Sequence, residues 1–280
     1  MNPWIETLAV AILAGFGILL GLWFSRLPKP YWTIGYFIPL TLVVLIVVLG
    51  KRPEMLFVAP TSWLMRGRTP FAAIGFIAAL ILTTPLRRLP NVRSRVLVNV
   101  LMTWIVAQIA LWPFLAPAFN HDYLASLKTN IDADGICRQS NEYNCGPAAA
   151  VTALRKLGFP AEEGQIAILA RTSSAAGTPP DMLATALRNQ YGSQGLVCEY
   201  RLFNGISDLR SAGLTLAVIK LSFLVDHYVV VLEVTDKEVV IADPLLGKRT
   251  LSHQEFIKSW RSLGIVLNRR PSDSASKIPL

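Results

Sequence analysis

The pattern of apolar and polar positions divides the chain into two unlike halves. Before residue 120 the apolar positions form four nearly unbroken stretches, roughly Trp4 to Phe24, Tyr31 to Leu49, Pro70 to Leu86 and Val96 to Phe119. A helix needs about 20 mostly apolar residues to cross a bilayer, and the first, second and fourth stretches meet that length. The third is shorter and ends in Thr83, Thr84 and Pro85, so four spans, or three spans with a tilted or re-entrant segment, both fit. Met55 to Met65 is too short and is interrupted by Pro60, which predicts a loop at the membrane interface. A cleaved signal peptide would begin with positive charge, whereas Glu6 is the only charged side chain before Arg26; the first stretch reads as an uncleaved span.

From His121 onward the pattern is that of a soluble domain with alternating helix and strand signals, long enough for one core. Cys145 to Leu157 reads as a helix, with Asn144 as N-cap, Pro147 in the first turn and Gly158 as the stop. Asp181 to Tyr191 reads as an amphipathic helix whose Met182, Leu183, Ala186 and Leu187 share one side, more in keeping with core packing than with a binding groove. Tyr228 to Val234 has the residue types of an interior strand, Thr235 to Lys237 a turn, and Glu238 to Ala242 a returning strand that runs into Asp243-Pro244. Ser252-His-Gln-Glu255 predicts a capping box for a helix through Trp260.

Composition sharpens the division. The hydrophobic share is 52% and the mean hydropathy is +0.45, both high for a soluble protein. The net charge of +9 lies in the apolar half: residues 1–120 hold 10 Lys/Arg and 2 Asp/Glu, against 17 and 16 in residues 121–280. Basic residues between apolar runs mark loops at a membrane surface, which excludes nucleic acid as the partner. Arg26, Lys29, Arg87, Arg88, Arg93 and Arg95 fall on one side of a four-span arrangement, and Lys51, Arg52, Arg66, Arg68 and Lys128 on the other. The count favours a multi-pass bacterial plasma-membrane protein with both termini and the soluble domain outside the cytoplasm. No Asp, Lys, Arg or His lies near a span centre, so the spans are expected to anchor, not to transport.

The domains expected are thus a membrane region over 1–120, a soluble domain over 121–270 and a tail over 271–280. With Cys137, Cys145 and Cys198 only, a disulfide scaffold is excluded; one reactive thiol, with the other two paired or simply buried, remains open. Cys145 begins a helix, where unpaired N–H groups stabilise an anion, and a thiolate is the reactive form of cysteine. A base must be one of three histidines. His121 lies where the chain leaves the membrane, and His253, inside its capping box, is expected to face solvent. His227 heads an interior strand. Asp243 follows at a separation of 16, an even number, so a hairpin that sets the two opposite each other also sets them on one face. Gln139, six residues before Cys145, is within reach to stabilise an oxyanion beside the Cys145 N–H.

These residues resemble the C39 peptidases, papain-like domains of bacteriocin-processing transporters that cut leader peptides after a double glycine. The matches are Gln139 with Cys145-Gly-Pro-Ala148, His227-Tyr-Val-Val-Val, and Ala242-Asp243-Pro244 with Gly247, Leu251, Phe256 and Trp260, over about Ile131 to Leu267. The resemblance implies an α+β papain-like cysteine peptidase domain following the α-helical transmembrane region. It assigns Cys145 as nucleophile, His227 as base, Asp243 as its orienter and Gln139 as oxyanion donor, with no metal or organic cofactor. It also implies a peptide or leader-peptide substrate and a membrane transporter as partner. The chain departs from the family in two ways. Asn144 stands where the family has Asp, and no Gly-x-x-x-x-Gly-Lys-Ser/Thr occurs, so ATP is not expected as a ligand. The spans also precede the peptidase domain instead of following it. A catalytically inert peptide-binding domain, and an acyl or amide transferase using the same triad, are the alternative functions.

Overall fold

A computed structural model describes residues 2–50, 52–222 and 225–270; Lys51 and the tail expected over 271–280 lie outside the described residues. The chain forms two compact units, Met1–Phe119 with Ser173–Ala175, and Asn120–Thr172 with Ala176–Leu280.

The first unit is helical: α1 (Pro3–Phe24), α2 (Ile34–Gly50), α3 (Thr61–Met65), α4 (Thr69–Thr83), α5 (Val92–Ile105) and α6 (Trp112–Phe119). A π-helical stretch, Val106–Leu111, carries α5 into α6 without a break. Among the described residues, four runs are long and apolar enough to cross a membrane: Pro3–Phe24, Tyr31–Gly50, Thr69–Arg88 and Val92–Phe119. The third reaches its length because α4 starts at Thr69 and the chain winds on past Pro85 into a 3₁₀ turn at Leu86–Arg88. Leu8, Ile12, Phe16 and Leu19 of α1 are exposed, so this helix is apolar outside as well as inside, the pattern of a helix surrounded by lipid or protein. Its contact with α4 depends on small residues: a Cβ on Gly17 would lie 2.7 Å from the Phe76 carbonyl oxygen, and one on Gly21 would run into Thr83 Oγ1. Such residues let helix backbones approach closely where lipid supplies no hydrophobic drive for association. Met55 to Met65 is not the plain loop expected. A 3₁₀ turn at Pro53–Leu56 precedes α3, and the Thr61 hydroxyl donates to the Met55 and Val58 carbonyls at 2.8 and 2.7 Å, winding the chain locally.

The second unit is α+β. It contains α7 (His121–Ala125), β1 (Asn130–Ile131), β2 (Cys137–Arg138), α8 (Cys145–Lys156), α9 (Glu163–Leu169), α10 (Pro180–Tyr191), β3 (Leu196–Leu202), α11 (Ile206–Ala212), β4 (Leu214–Lys220), β5 (Asp226–Val234), β6 (Glu238–Asp243), β7 (Gly247–Ser252), α12 (His253–Ser259) and β8 (Trp260–Arg269). Strands β3 to β8 form one antiparallel sheet in the order β3-β8-β4-β5-β6-β7, the last strand entering between β3 and β4. Ala217, Ile219, Val229, Val231, Val239 and Ile241 from the sheet pack with Phe203, Leu209, Phe256 and Trp260 into one core. Leu183, Ala186 and Leu187 of α10 are buried, so the apolar side of that helix serves packing.

Helix α8 is buried along its whole length from Cys145 to Leu154, and its run of alanines lets it pack closely against β5. It ends as expected at Gly158, whose φ of +78° is open to glycine at little cost. The Gly158 N–H donates to Arg155 O at 3.0 Å and the Phe159 N–H to Leu154 O at 2.9 Å, the paired bonds of a Schellman stop. The capping box at Ser252 and Glu255 forms, but α12 stops at Ser259 and Trp260 opens β8.

Candidate active site

The site lies where α8 begins and where β5 starts beside the end of β6. Cys145 is the first residue of α8, so it sits among the backbone N–H groups that have no partner within the helix. Asn144 occupies the cap position, but its side chain makes no capping bond. The expectation of an Asn144 N-cap is corrected: its Nδ2 donates to Glu163 Oε1 at 3.0 Å instead.

His227 and Asp243 are both buried, at 3% and 2% exposure, and His227 Nε2 lies 2.8 Å from Asp243 Oδ1. Cys145 lies near enough to act on the ring; because Nε2 is engaged by Asp243, the nitrogen open to the sulfur is Nδ1. Burial pulls the imidazole pKa down, but the hydrogen bond and charge of Asp243, with the neighbouring Cys145, outweigh it and push His227 from 6.5 up to about 9. For Asp243, burial acts upward. The bond and charge of His227 and the N–H groups of Leu245 and Leu246, at 2.8 and 3.3 Å, hold its carboxyl below the usual value all the same. Arg249 stands 3.7 Å from Oδ2.

The pairing that joins them is not the simple one expected. Next to the β5–β6 turn the register runs Val234↔Val239 and Glu233↔Val240; a bulge follows, and beyond it the pairs are Val231↔Ile241 and Val230↔Ala242. One step further Asp243 comes level with Val229, two residues from His227 and on the same face. A regular ladder continued from the turn would have set Asp243 level with Val230, on the other face. The extra residue at Leu232 restores the parity.

Gln139 is bound to the same turn. Its backbone N–H donates to Pro244 O at 3.1 Å, and the Arg138 guanidinium reaches the Leu245 carbonyl. Its side-chain Nε2 donates to Asn141 O at 2.9 Å, which uses one of its two N–H groups, and Oε1 is buried without a partner among the described residues. The structure therefore brings Cys145, His227 and Asp243 together, with His227 hydrogen-bonded to Asp243 and Gln139 fastened to the edge of the group through its backbone.

The other histidines are elsewhere. His121 is exposed and meets only the neighbouring Asp122, at 3.2 Å. His253 does not face solvent as expected; its Nε2 is 3.1 Å from the carbonyl of Thr235, at the end of the sheet opposite His227. All three cysteines are free, and burial pushes the thiols of Cys137 and Cys198 up to about 12 and about 11. No group of three or more His, Cys, Asp or Glu side chains suited to a metal occurs among the described residues. Sequence reasoning missed Glu163, a fully buried carboxylate that accepts from Ser140 and Asn144 just before Cys145. An acidic pair at the start of a short helix gives no sign of burial.

Of the comparisons with known proteins, the family match falls in the second unit. The chain matches the Peptidase C39 family over residues 134–273, half of its length. It is 32% identical over 143 residues to an uncharacterised protein of Methanothermobacter marburgensis, covering 51% of this chain and 94% of that protein. A second uncharacterised protein, from Methanothermobacter thermautotrophicus, is 29% identical over 147 residues, covering 52% and 96%. Among solved structures, a double glycine motif protease from an AMS/PCAT transporter, in complex with the leader peptide, is similar at 17% identity with a TM-score of 0.41, covering 52% of this chain and 96% of that one. The peptidase domain of Streptococcus ComA, a bi-functional ABC transporter involved in quorum sensing, is similar at 20% identity with a TM-score of 0.41, covering 48% and 96%.

Proposed function

Because the chain belongs to the Peptidase C39 family, we propose that it is a membrane-anchored cysteine peptidase that hydrolyses a peptide bond with Cys145, His227 and Asp243. One arrangement supports this reading above all: a buried imidazole hydrogen-bonded to the Asp243 carboxylate and close to Cys145 at a helix N-terminus. In the proposed reaction Cys145 sulfur attacks the scissile carbonyl carbon while His227 holds the proton from the thiol. The Cys145 N–H and the second N–H of Gln139 stabilise the oxyanion. His227 gives its proton to the leaving amine, and then, as a base, activates the water that hydrolyses the thioester and regenerates the thiol. Asp243 keeps the ring oriented and balances its charge.

The four apolar helices are the anchor in this proposal. In this proposal the side of the bacterial plasma membrane with Arg26, Lys29, Arg87, Arg88, Arg93 and Arg95 is the cytoplasmic one and the peptidase unit lies outside; the excess of six basic residues over the five at Lys51, Arg52, Arg66, Arg68 and Lys128 supports this orientation. A reporter fused to the C-terminus and active only in the cytoplasm should stay silent; a strong signal refutes the orientation.

Activity is tested with the full-length protein in detergent, incubated with a peptide library that includes leaders ending in Gly-Gly and read by mass spectrometry. Cleavage that depends on Cys145 is the expected result. Cleavage retained by Cys145→Ala protein overturns the assignment. A product whose mass differs from that of the hydrolytic fragment by an amine gained and a water lost would show transfer in place of hydrolysis.

A further inference from the structure

Glu163 takes no part in the reaction proposed above, yet its position bears on it. The residue is fully buried, which is costly for an ionised side chain unless donors surround its oxygens. Oε1 accepts the Ser140 N–H at 2.9 Å and Asn144 Nδ2–H at 3.0 Å, and Oε2 accepts the Ser140 hydroxyl at 2.6 Å. The Glu163 N–H donates in turn to Thr129 Oγ1 at 2.8 Å. Ser140 and Asn144 are the two ends of the segment between Gln139 and Cys145. One carboxylate thus ties both ends of the loop that delivers the nucleophile.

Asn144 is committed to this bond. Its Oδ1 is buried with no partner among the described residues, so Glu163 decides which way the amide faces. An aspartate at 144 would set two carboxylates about 3 Å apart, a repulsive pair unless one takes up a proton. The departure from the family pattern at this position is therefore matched by its neighbour.

We infer that Glu163 is a positioning residue for the nucleophile, acting through Ser140 and Asn144 to fix Cys145 and the first turn of α8. This rests on the reading of Cys145 as nucleophile. The test uses full-length protein in detergent and iodoacetamide at about pH 6, where ordinary thiols are protonated and slow. Alkylation of each cysteine is followed by peptide mass. Wild-type Cys145 should react much faster than glutathione, while Cys137 and Cys198, buried thiols pushed up to about 12 and about 11, stay unlabelled and so report an intact fold.

Glu163→Ala should slow Cys145 at least about tenfold, the scale of a displaced reacting group. Glu163→Gln should restore the rate to within about threefold, because its oxygen still accepts from Ser140 N–H and Asn144 while its amide donates to the Ser140 hydroxyl. If labelling of Cys137 shows that Glu163→Ala has unfolded, Asn144→Ala carries the test, with an expected slowing of about three- to tenfold. A folded variant that alkylates Cys145 at the wild-type rate overturns the positioning role and leaves the nucleophile standing. Wild-type Cys145 no faster than glutathione overturns the nucleophile, and the positioning role with it.

Discussion

Replacing Asp243 by Asn isolates a charge without dismantling the site. The amide oxygen can keep the three bonds that Oδ1 now accepts, from His227 Nε2 and from the N–H groups of Leu245 and Leu246. What disappears is the negative charge beside a buried imidazole. The rise of the His227 pKa from 6.5 to about 9 amounts to roughly 3 kcal/mol of preference for the protonated ring. Asp243 acts on the ring through a direct hydrogen bond and through its charge, so losing that charge should lower the pKa by about one to two units. In the proposed mechanism the ring must be protonated to release the amine, and its deprotonation sets the alkaline limb of kcat/KM. That limb should move from near 9 toward about 7 to 8, so that near pH 8.5 the variant loses about tenfold, while near pH 6.5 it stays within several-fold. A stability readout runs alongside. A group whose pKa is raised on folding stabilises the fold fully below its unfolded value and ceases to do so as pH rises through the folded value. The wild type should therefore melt above the variant by several degrees near pH 6, at about 2–4 °C per kcal/mol, and the gap should close above pH 9. The assay is the pH profile of cleavage of a peptide found by the library screen, with thermal melts of the full-length protein in the same buffers. An alkaline limb that stays in place would refute the coupling of Asp243 to His227.

Three further outcomes are expected. Cys145→Ala should abolish cleavage and, because Cys145 shares with Asp243 in raising the His227 pKa, lower the melting midpoint by a few degrees near pH 6 while leaving it nearly unchanged above pH 9. Gly146→Ala should destabilise by about 1 kcal/mol or more, because its new methyl would lie 3.3 Å from the Tyr228 ring and 3.4 Å from Leu183, and a thermal melt reads the loss. His253→Ala should cleave at the wild-type rate and lose no more than about 1 kcal/mol, the worth of its bond to the Thr235 carbonyl; a large loss of cleavage would show that the wrong histidine had been chosen as base.

The sequence alone determined the division into an apolar and a soluble half, because transfer of apolar side chains from water is a local property written residue by residue. It determined where α8 begins and ends, since Pro147 and Gly158 act on their own backbone. It also narrowed the histidines to His227, which heads the only strong interior strand among them. Whether His227 meets Asp243 was another matter. The even separation of 16 was the right number for an incomplete reason: counted from the turn, the regular ladder puts the two on opposite faces, and the bulge at Leu232 turns them to the same one. A bulge belongs to a pairing between two strands, so neither strand's residues announce it. The same holds at the nucleophile. The N-cap expected of Asn144, in which Oδ1 would accept a backbone N–H, did not form, because Glu163, 19 residues further on, holds Nδ2 and turns the amide so that Oδ1 meets no donor among the described residues. Sequence chose the residue types for the chemistry; the packing of α9 against α8 and the register of β5 on β6 decided which of them touch.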